Sequence, residues 1–485
     1  MRRLLLLLIC PGVLGLLLQL WLRASQHHRL VIGVLSARQN RPLRDTIRNT
    51  WGSQGPYQPL LRFIVGSEPC GVPPADREDL YSCQLLNITS PILHREISAF
   101  TGPPPANSSH HQLSVTFRVL HPIIITRLGA WCPGASRNFS VRLFQAEHEE
   151  PLCGARLTPL SPGAPAQLVP NSPVGAVHLS SHGSDSSSEI CYKPVEQFIL
   201  PEGFHGTIRW DSHDPEGLPT WNVHRVTLNS GGGVLNLVTA EEGLLPYDFS
   251  QGVEGIAGGF IYTIHDGETL LQHLHNRPQR LEEFQASLVE EEVSLQEESY
   301  AHGDITFVNV VDTYRNVPRK LLLFYRWLVG SVDFDFLLKT DDDCFVDLDN
   351  VFQALEARQL KGPNAWWGNF RLNWGVDRTG KWQELEYLSP AYPPFTCGSG
   401  YVLSQDIVHW LAENAKRLKT YQGEDVSMGI WMSAIGPRRY QDENWLCDKV
   451  CESGMLSSPQ YSPQELSQLW QQKERCGKPC GCANR

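Results

Sequence analysis

The chain has 485 residues, more than one ordinary domain holds, so two or three domains are expected. Hydrophobic residues make up 41% and charged residues 19%, a balance that excludes a disordered chain and fits buried cores. The net charge of −11 excludes a general nucleic-acid binder, which needs a basic face against phosphates.

Met1-Arg2-Arg3 precedes an apolar run from Leu4 to Leu22. About 20 apolar helical residues cross a bilayer core, so residues 4–22 predict a signal-anchor helix behind a cytoplasmic tail at 1–3. The run is longer than the ~7–15-residue core of a cleaved signal peptide, and no A-x-A-like site follows it. Arg2 and Arg3 stay cytoplasmic, with Trp21 and Arg23 as an interfacial anchor, which leaves the rest luminal. The expected location is the Golgi or endoplasmic reticulum membrane, as a single-pass type II protein. Two features agree with a luminal chain. Of the 13 cysteines only Cys10 lies in the span, and the others are even in number, as disulfides require. Three glycosylation sequons begin at Asn87, Asn107 and Asn138.

Leu30 to Ala37 is an apolar, β-branched run that predicts a strand buried on both faces. A helix follows to Trp51, with Pro42 suited to its first turn and Arg41, Arg44 and Arg48 on one face. Leu61–Val65 predicts a second strand, and residues 23–66 read as the start of an α/β domain. The pattern then breaks. Residues 67–250 are rich in Pro, Gly, Ser and Thr, with short alternating segments at 113–119, 141–144 and 226–229, and predict a β-sandwich-like insertion. The α/β pattern is expected to resume at Phe260–Ile264 and continue to about 445. It includes a helix over 281–298, strands at 305–311 and 334–339, and a helix over 321–329. Residues 446–485 form a Cys-rich tail, in which Cys447, Cys451, Cys476, Cys480 and Cys482 admit either zinc or disulfides.

The strand at 334–339 runs directly into Thr340-Asp341-Asp342-Asp343. Carboxylates at the carboxyl end of a strand in an open α/β sheet stand where ligands bind. Hard divalent cations take oxygen ligands and substrate phosphates, so a metal neutralising a leaving diphosphate is expected, against the plainer reading of a solvated turn. Glu424 and Asp425 open an apolar helix. A carboxylate there serves either as a base for an acceptor hydroxyl or as a helix cap. Gly398 and Gly400 permit close backbone approach to a ligand, or a turn. Trp366, Trp367, Phe370 and Trp374 are candidates for stacking on sugars, although burial is the commoner fate of Trp.

Five stretches stand in order along the chain: VLSARQNRPLRDTIRNTWG, GDITFVNVVDTYRNVPRKLLLFYRW, LLKTDDDCFVDLDN, YPPFTCGSGYVLS and GEDVSMGIW. Together they resemble glycosyltransferase family 31, the inverting β-1,3-transferases, over residues 30–66 and about 297–440. The resemblance implies a Rossmann-like GT-A domain, a Mn²⁺ or Mg²⁺ cofactor and UDP-GalNAc as donor. It also implies a glycoprotein acceptor with a terminal β-linked GlcNAc, in the O-mannosyl glycan of α-dystroglycan. By the same resemblance Asp341 and Asp343 are the metal pair, and Asp425, beside Glu424, is the catalytic base. Lys339, Asp342, Gly398, Gly400, Arg44 and Arg48 then fall to the cofactor and nucleotide side, with structural ion pairing as the alternative for the two arginines. Related transferases often take a histidine ligand after the base motif. This chain has none beyond His409, which leaves the third protein ligand open. Composition and spacing alone reach a nucleotide-sugar transferase, with UDP-Gal or UDP-GlcNAc as other donors. The competing readings are a catalytically silent, glycan-binding relative and a metal-dependent phosphohydrolase.

Overall fold

The computed structural model describes residues 27–53, 57–132, 138–146, 148–158, 190–213, 215–238, 253–357, 360 and 363–481, so the expected anchor and tail at 1–22 lie outside them. Among the described residues no helix is long and apolar enough to cross a membrane.

β1 (His27–Leu35) is buried from Leu30 onward, as the continuous apolar run requires. α1 (Arg41–Asn49) carries its proline in the first turn, where no amide is needed, and β2 (Leu60–Glu68) lies parallel to β1. After a long excursion the chain returns through a short helix at 267–275 into α2 (Arg277–His302), which ends on left-handed Gly303. β3 (Ile305–Val311), α3 (Val317–Ser331), β4 (Asp333–Asp341), α4 (Leu348–Ala357), β5 (Ala365–Arg371) and β6 (Phe395–Ser404) follow. α5 (Gln405–Asn414), α6 (Glu424–Ile435), β7 (Arg438–Gln441) and α7 (Pro463–Cys476) complete the domain.

The seven-stranded sheet has the order β3-β2-β1-β4-β6-β5-β7. Only β6 runs against the others. Helices cover both faces. Phe324, Tyr325, Leu411 and Trp431 pack on one side, and Trp51, Phe352, Trp367 and Trp445 on the other. This mixed sheet sets the carboxyl end of β4 beside that of β1, with Leu35 opposite Asp341.

The excursion forms a second body of two mainly antiparallel sheets around one core. Its longer strands include 112–119, 123–131, 139–145 and 205–212, and the Trp210 indole of one sheet donates to the Gly129 carbonyl of the other at 2.9 Å. Asn87, Asn107 and Asn138 are all exposed on it. The strand 258–264, expected to resume the α/β sheet, pairs instead with 123–131 and buries Phe260 and Tyr262 in this core. Strand periodicity defines which face is apolar but not which sheet the strand joins.

The Cys-rich tail is also not separate. Trp445, Met455, Leu456, Tyr461 and Leu466 are buried in the core of the catalytic sheet, and α7 packs on α1. Its cysteines form disulfides rather than a zinc site, as Cys397–Cys447 and Cys451–Cys480. Cys70–Cys83 and Cys132–Cys191 brace the excursion, while Cys153 and Cys344 are free.

Arg44 and Arg48, assigned above to the nucleotide, face α2 instead. The Arg44 guanidinium is fully buried and makes a bidentate pair with Glu298 at 2.8 Å on both arms. Its remaining donors hold Ser36 and the Ala37 and Arg38 carbonyls, which shapes the loop after β1. Arg48 bridges Glu298 and Asp304. Burial works to raise the Glu298 carboxyl, and the two arginines outweigh it and hold it low. Helical spacing put these arginines on one face correctly; the acidic helix that meets them lies far along the chain. Breaking a buried pair leaves a charge without a partner. Arg44→Met should therefore destabilise the catalytic domain by about 3–5 kcal/mol, read by denaturant titration.

Candidate active site

The end of β4 is organised around Lys339. Its ammonium is 1% exposed and has three donors. They are taken by the Gly398 carbonyl at 2.9 Å, Asp341 Oδ1 at 2.9 Å and Glu424 Oε1 at 2.7 Å. Burial works against the charged amine, but Asp341 and Glu424 outweigh it, so Lys339 stays protonated. Glu424 is buried, accepts also from the Tyr401 hydroxyl at 3.2 Å, and is pushed by burial up to about 7 against the pull of Lys339. With the ammonium 2.7 Å away, the pair is an internal salt bridge, and neither member is free to touch a ligand.

Asp341 and Asp343 converge next to this pair. One atom of each, with the Cys344 sulfur, falls within 4.8 Å of the others. Burial first, and the neighbouring Asp341 charge after it, push Asp343 upward against the pull of Lys339. The Cys344 thiol is fully buried and its ionisation is pushed far up, so it remains a neutral thiol. Two hard carboxylates beside a neutral sulfur fit Mn²⁺ or Mg²⁺ better than zinc. The Tyr461 amide donates to the Asp343 carbonyl at 2.9 Å, so the C-terminal segment fixes this turn. Asp342 points the other way. It is buried, its amide bonds to Leu35, and its carboxylate accepts from Asn40 at 2.9 Å, tying β4 to the loop after β1.

Asp425 occupies the first turn of α6, whose dipole favours an anion there. Unlike Glu424 it lines an open cavity of about 390 Å³, shared with Gly398, Tyr314, Trp374, Trp382 and Tyr392. Burial raises its carboxyl above the usual range. A raised, positioned carboxylate facing a cavity can accept a proton from a hydroxyl. The two glycines separate. A methyl on Gly398 would stand 3.7–3.8 Å from Glu424, Asp341 and Lys339, within ordinary contact distance. One on Gly400 would stand 2.7 Å from Trp445, so Gly400 serves packing and not a ligand.

Two cavity residues, Tyr314 and Trp382, carried no sequence signal, whereas Trp374 was among the stacking candidates and lines the cavity. Tyr314 sits in a short turn, and Trp382 and Trp374 in the irregular segment between β5 and β6. Arg371 stacks on Trp374 at 4.4 Å. Trp366 and Trp367, the other aromatic candidates, are buried.

A family model described as Galactosyltransferase matches residues 287–443, the stretch that holds β3, β4, β6 and α6 with Asp425 in its first turn. A Xenopus laevis protein, UDP-GalNAc:beta-1,3-N-acetylgalactosaminyltransferase 2, is 57% identical over 99% of both chains. The Homo sapiens protein of that name is 54% identical, again over 99% of both. The chain belongs to the galactosyltransferase family, glycosyltransferase family 31. It is therefore a glycosyltransferase. A more distant family member, Beta-1,3-galactosyltransferase 6 of Mus musculus, is 33% identical over 39% of this chain and 61% of its own length. The first two matches extend through the β-rich excursion as well as the catalytic sheet.

For this family member the two glycines give opposite expectations. Gly398→Ala should melt like the wild type yet lose transfer, because its methyl intrudes beside Asp341 and Glu424. Gly400→Ala should lower stability by about 1–3 kcal/mol through the clash with Trp445. Thermal melts set against turnover of the same preparations distinguish them.

Proposed function

We propose that this glycosyltransferase moves GalNAc from UDP-GalNAc in β-1,3 linkage to a terminal β-GlcNAc of a glycoprotein glycan. The observation that carries the reading is Asp425, which faces the cavity beside the Asp341–Asp343 pair. Whole-length similarity to proteins named for that activity supports the donor. The resemblance in the motifs supports the O-mannosyl glycan of α-dystroglycan as the acceptor. The parallel half-sheet ending in an acidic cluster supports a GT-A domain with the β-rich body inserted in it. The apolar run at 4–22 supports anchoring in the Golgi or endoplasmic reticulum membrane, with the catalytic domain luminal.

Asp341 and Asp343 would hold the cation. A divalent ion bound there supplies positive charge against the departing diphosphate. The chain's own residues do the rest. Asp425 takes the proton of the acceptor hydroxyl as that oxygen attacks the anomeric carbon. The bond to UDP breaks on the opposite face, and UDP leaves with the electron pair. One displacement at an α-linked donor gives a β product. Gly398 lets the sugar approach Asp341 closely, and Lys339 keeps the Asp341 and Glu424 carboxylates in place.

Asp425→Asn should keep UDP binding by calorimetry and lose transfer by about 10²–10⁴-fold, the range for a lost general base. Full activity in that variant rejects the assignment. Asp343→Ala should lose manganese-dependent UDP binding instead, and a donor screen with a GlcNAc-terminated acceptor tests the sugar. The base acts ionised, and burial raises its carboxyl, so transfer should fall with pH earlier than an ordinary aspartate dictates. The acid limb of kcat/KM should therefore lie above about 4.

A further inference from the structure

Tyr314 and Trp382 stand on the cavity wall that also carries Asp425, and they are 37% and 56% exposed. The Trp382 indole donates to the Tyr314 hydroxyl at 3.3 Å. The aromatic row does not stop there. The Tyr314 ring meets Tyr81 with centroids 5.7 Å apart, and Leu80 beside it is 69% exposed. Tyr81 belongs to the first loop of the β-rich body, more than two hundred residues away in sequence.

That loop is built to hold its position. The Cys70–Cys83 disulfide closes it. Within it Asp76 is fully buried and bound by His273, Arg277 and Arg280, which pins it to α2 and the helix before it. Arg315 joins three segments. Its amide donates to the Tyr81 carbonyl at 3.0 Å, and its guanidinium to the Gln383 carbonyl at 2.8 Å, next to Trp382. Gln422, two residues before Glu424, holds the Lys381 carbonyl at 2.9 Å. The segment before α6, the Trp382 loop and the Tyr81 loop are thus tied by one backbone hydrogen bond and two side-chain bonds to carbonyls.

Exposed aromatic and aliphatic side chains held rigidly in a row, continuous with a reaction cavity, mark a ligand surface. A pyranose ring offers an apolar C–H face to such rings and keeps its hydroxyls at the rim. Lys381 sits 4.7 Å over the Tyr314 ring, but it is exposed and free to swing away. We propose that the disulfide-braced loop 70–83 is part of the acceptor site. Tyr81 and Leu80 bind the portion of the acceptor glycan that lies beyond the sugar being modified. The inserted body thereby extends the acceptor site and selects for acceptors longer than one sugar, a proposal that rests on the sugar-transfer reading above.

The test compares two acceptors with the full chain and UDP-GalNAc. One is the methyl glycoside of β-GlcNAc, and the other is the methyl glycoside of a disaccharide ending in the same β-GlcNAc. Wild type should favour the disaccharide in kcat/KM, mainly through KM. Tyr81→Ala, and independently Leu80→Ser at a solvent-exposed position, should reduce that preference by about 3- to 10-fold, with Tyr81→Phe retaining it. Equal loss on both acceptors, or an unchanged preference in both variants, overturns the proposal. No transfer by wild type to either acceptor instead rejects the underlying sugar-transfer reading, and this proposal with it.

Discussion

A single buried ammonium organises the catalytic centre. Asp341, Glu424 and Asp425 would repel one another at the inner wall of the cavity, where partial burial makes charges interact more strongly than in solvent. Lys339 sits between two of them with every donor used, and that is the geometry in which a buried charge is tolerated. The consequence is architectural. Lys339 comes from β4, Glu424 from the start of α6 and Gly398 from β6, so one side chain sets the spacing of the three elements that frame the cavity. Tyr401, opposite Lys339 in the neighbouring strand, supports the same carboxylate from below.

Much of this was legible in the sequence because it is local. A strand running without a spacer into three aspartates fixes where those aspartates go, and Pro42 marks its helix start. What stayed illegible is what depends on distant partners. Lys339 reads as a ligand-binding lysine until Glu424 is seen to occupy it. Arg44 and Arg48 read as phosphate ligands until α2 brings Glu298 across 250 residues of sequence. Gly400 resembles Gly398 in the motif, and only the placement of Trp445 separates packing from ligand approach. The cavity aromatics Tyr314 and Trp382 lie in irregular segments, where no periodicity exists to be read.

The two bodies differ in what holds them. The catalytic sheet is a layered core with helices on both faces, whereas the β-rich body packs two sheets directly, and each carries two disulfides among the described residues. The joint between them is ionic, with one buried carboxylate, Asp76, receiving three basic side chains. A joint of charged groups fixes orientation more strictly than apolar contact, because hydrogen-bond geometry tolerates little rotation.

Through the bond from Tyr461 to the Asp343 carbonyl, the aspartate turn is shaped by a segment more than a hundred residues further along the chain, and Cys397–Cys447 ties the approach to that segment to β6. The same distal segment thus supplies the strap on the aspartate turn and, through Tyr461 and Leu466, part of the packing under the sheet, which couples the shape of the site to the integrity of the core.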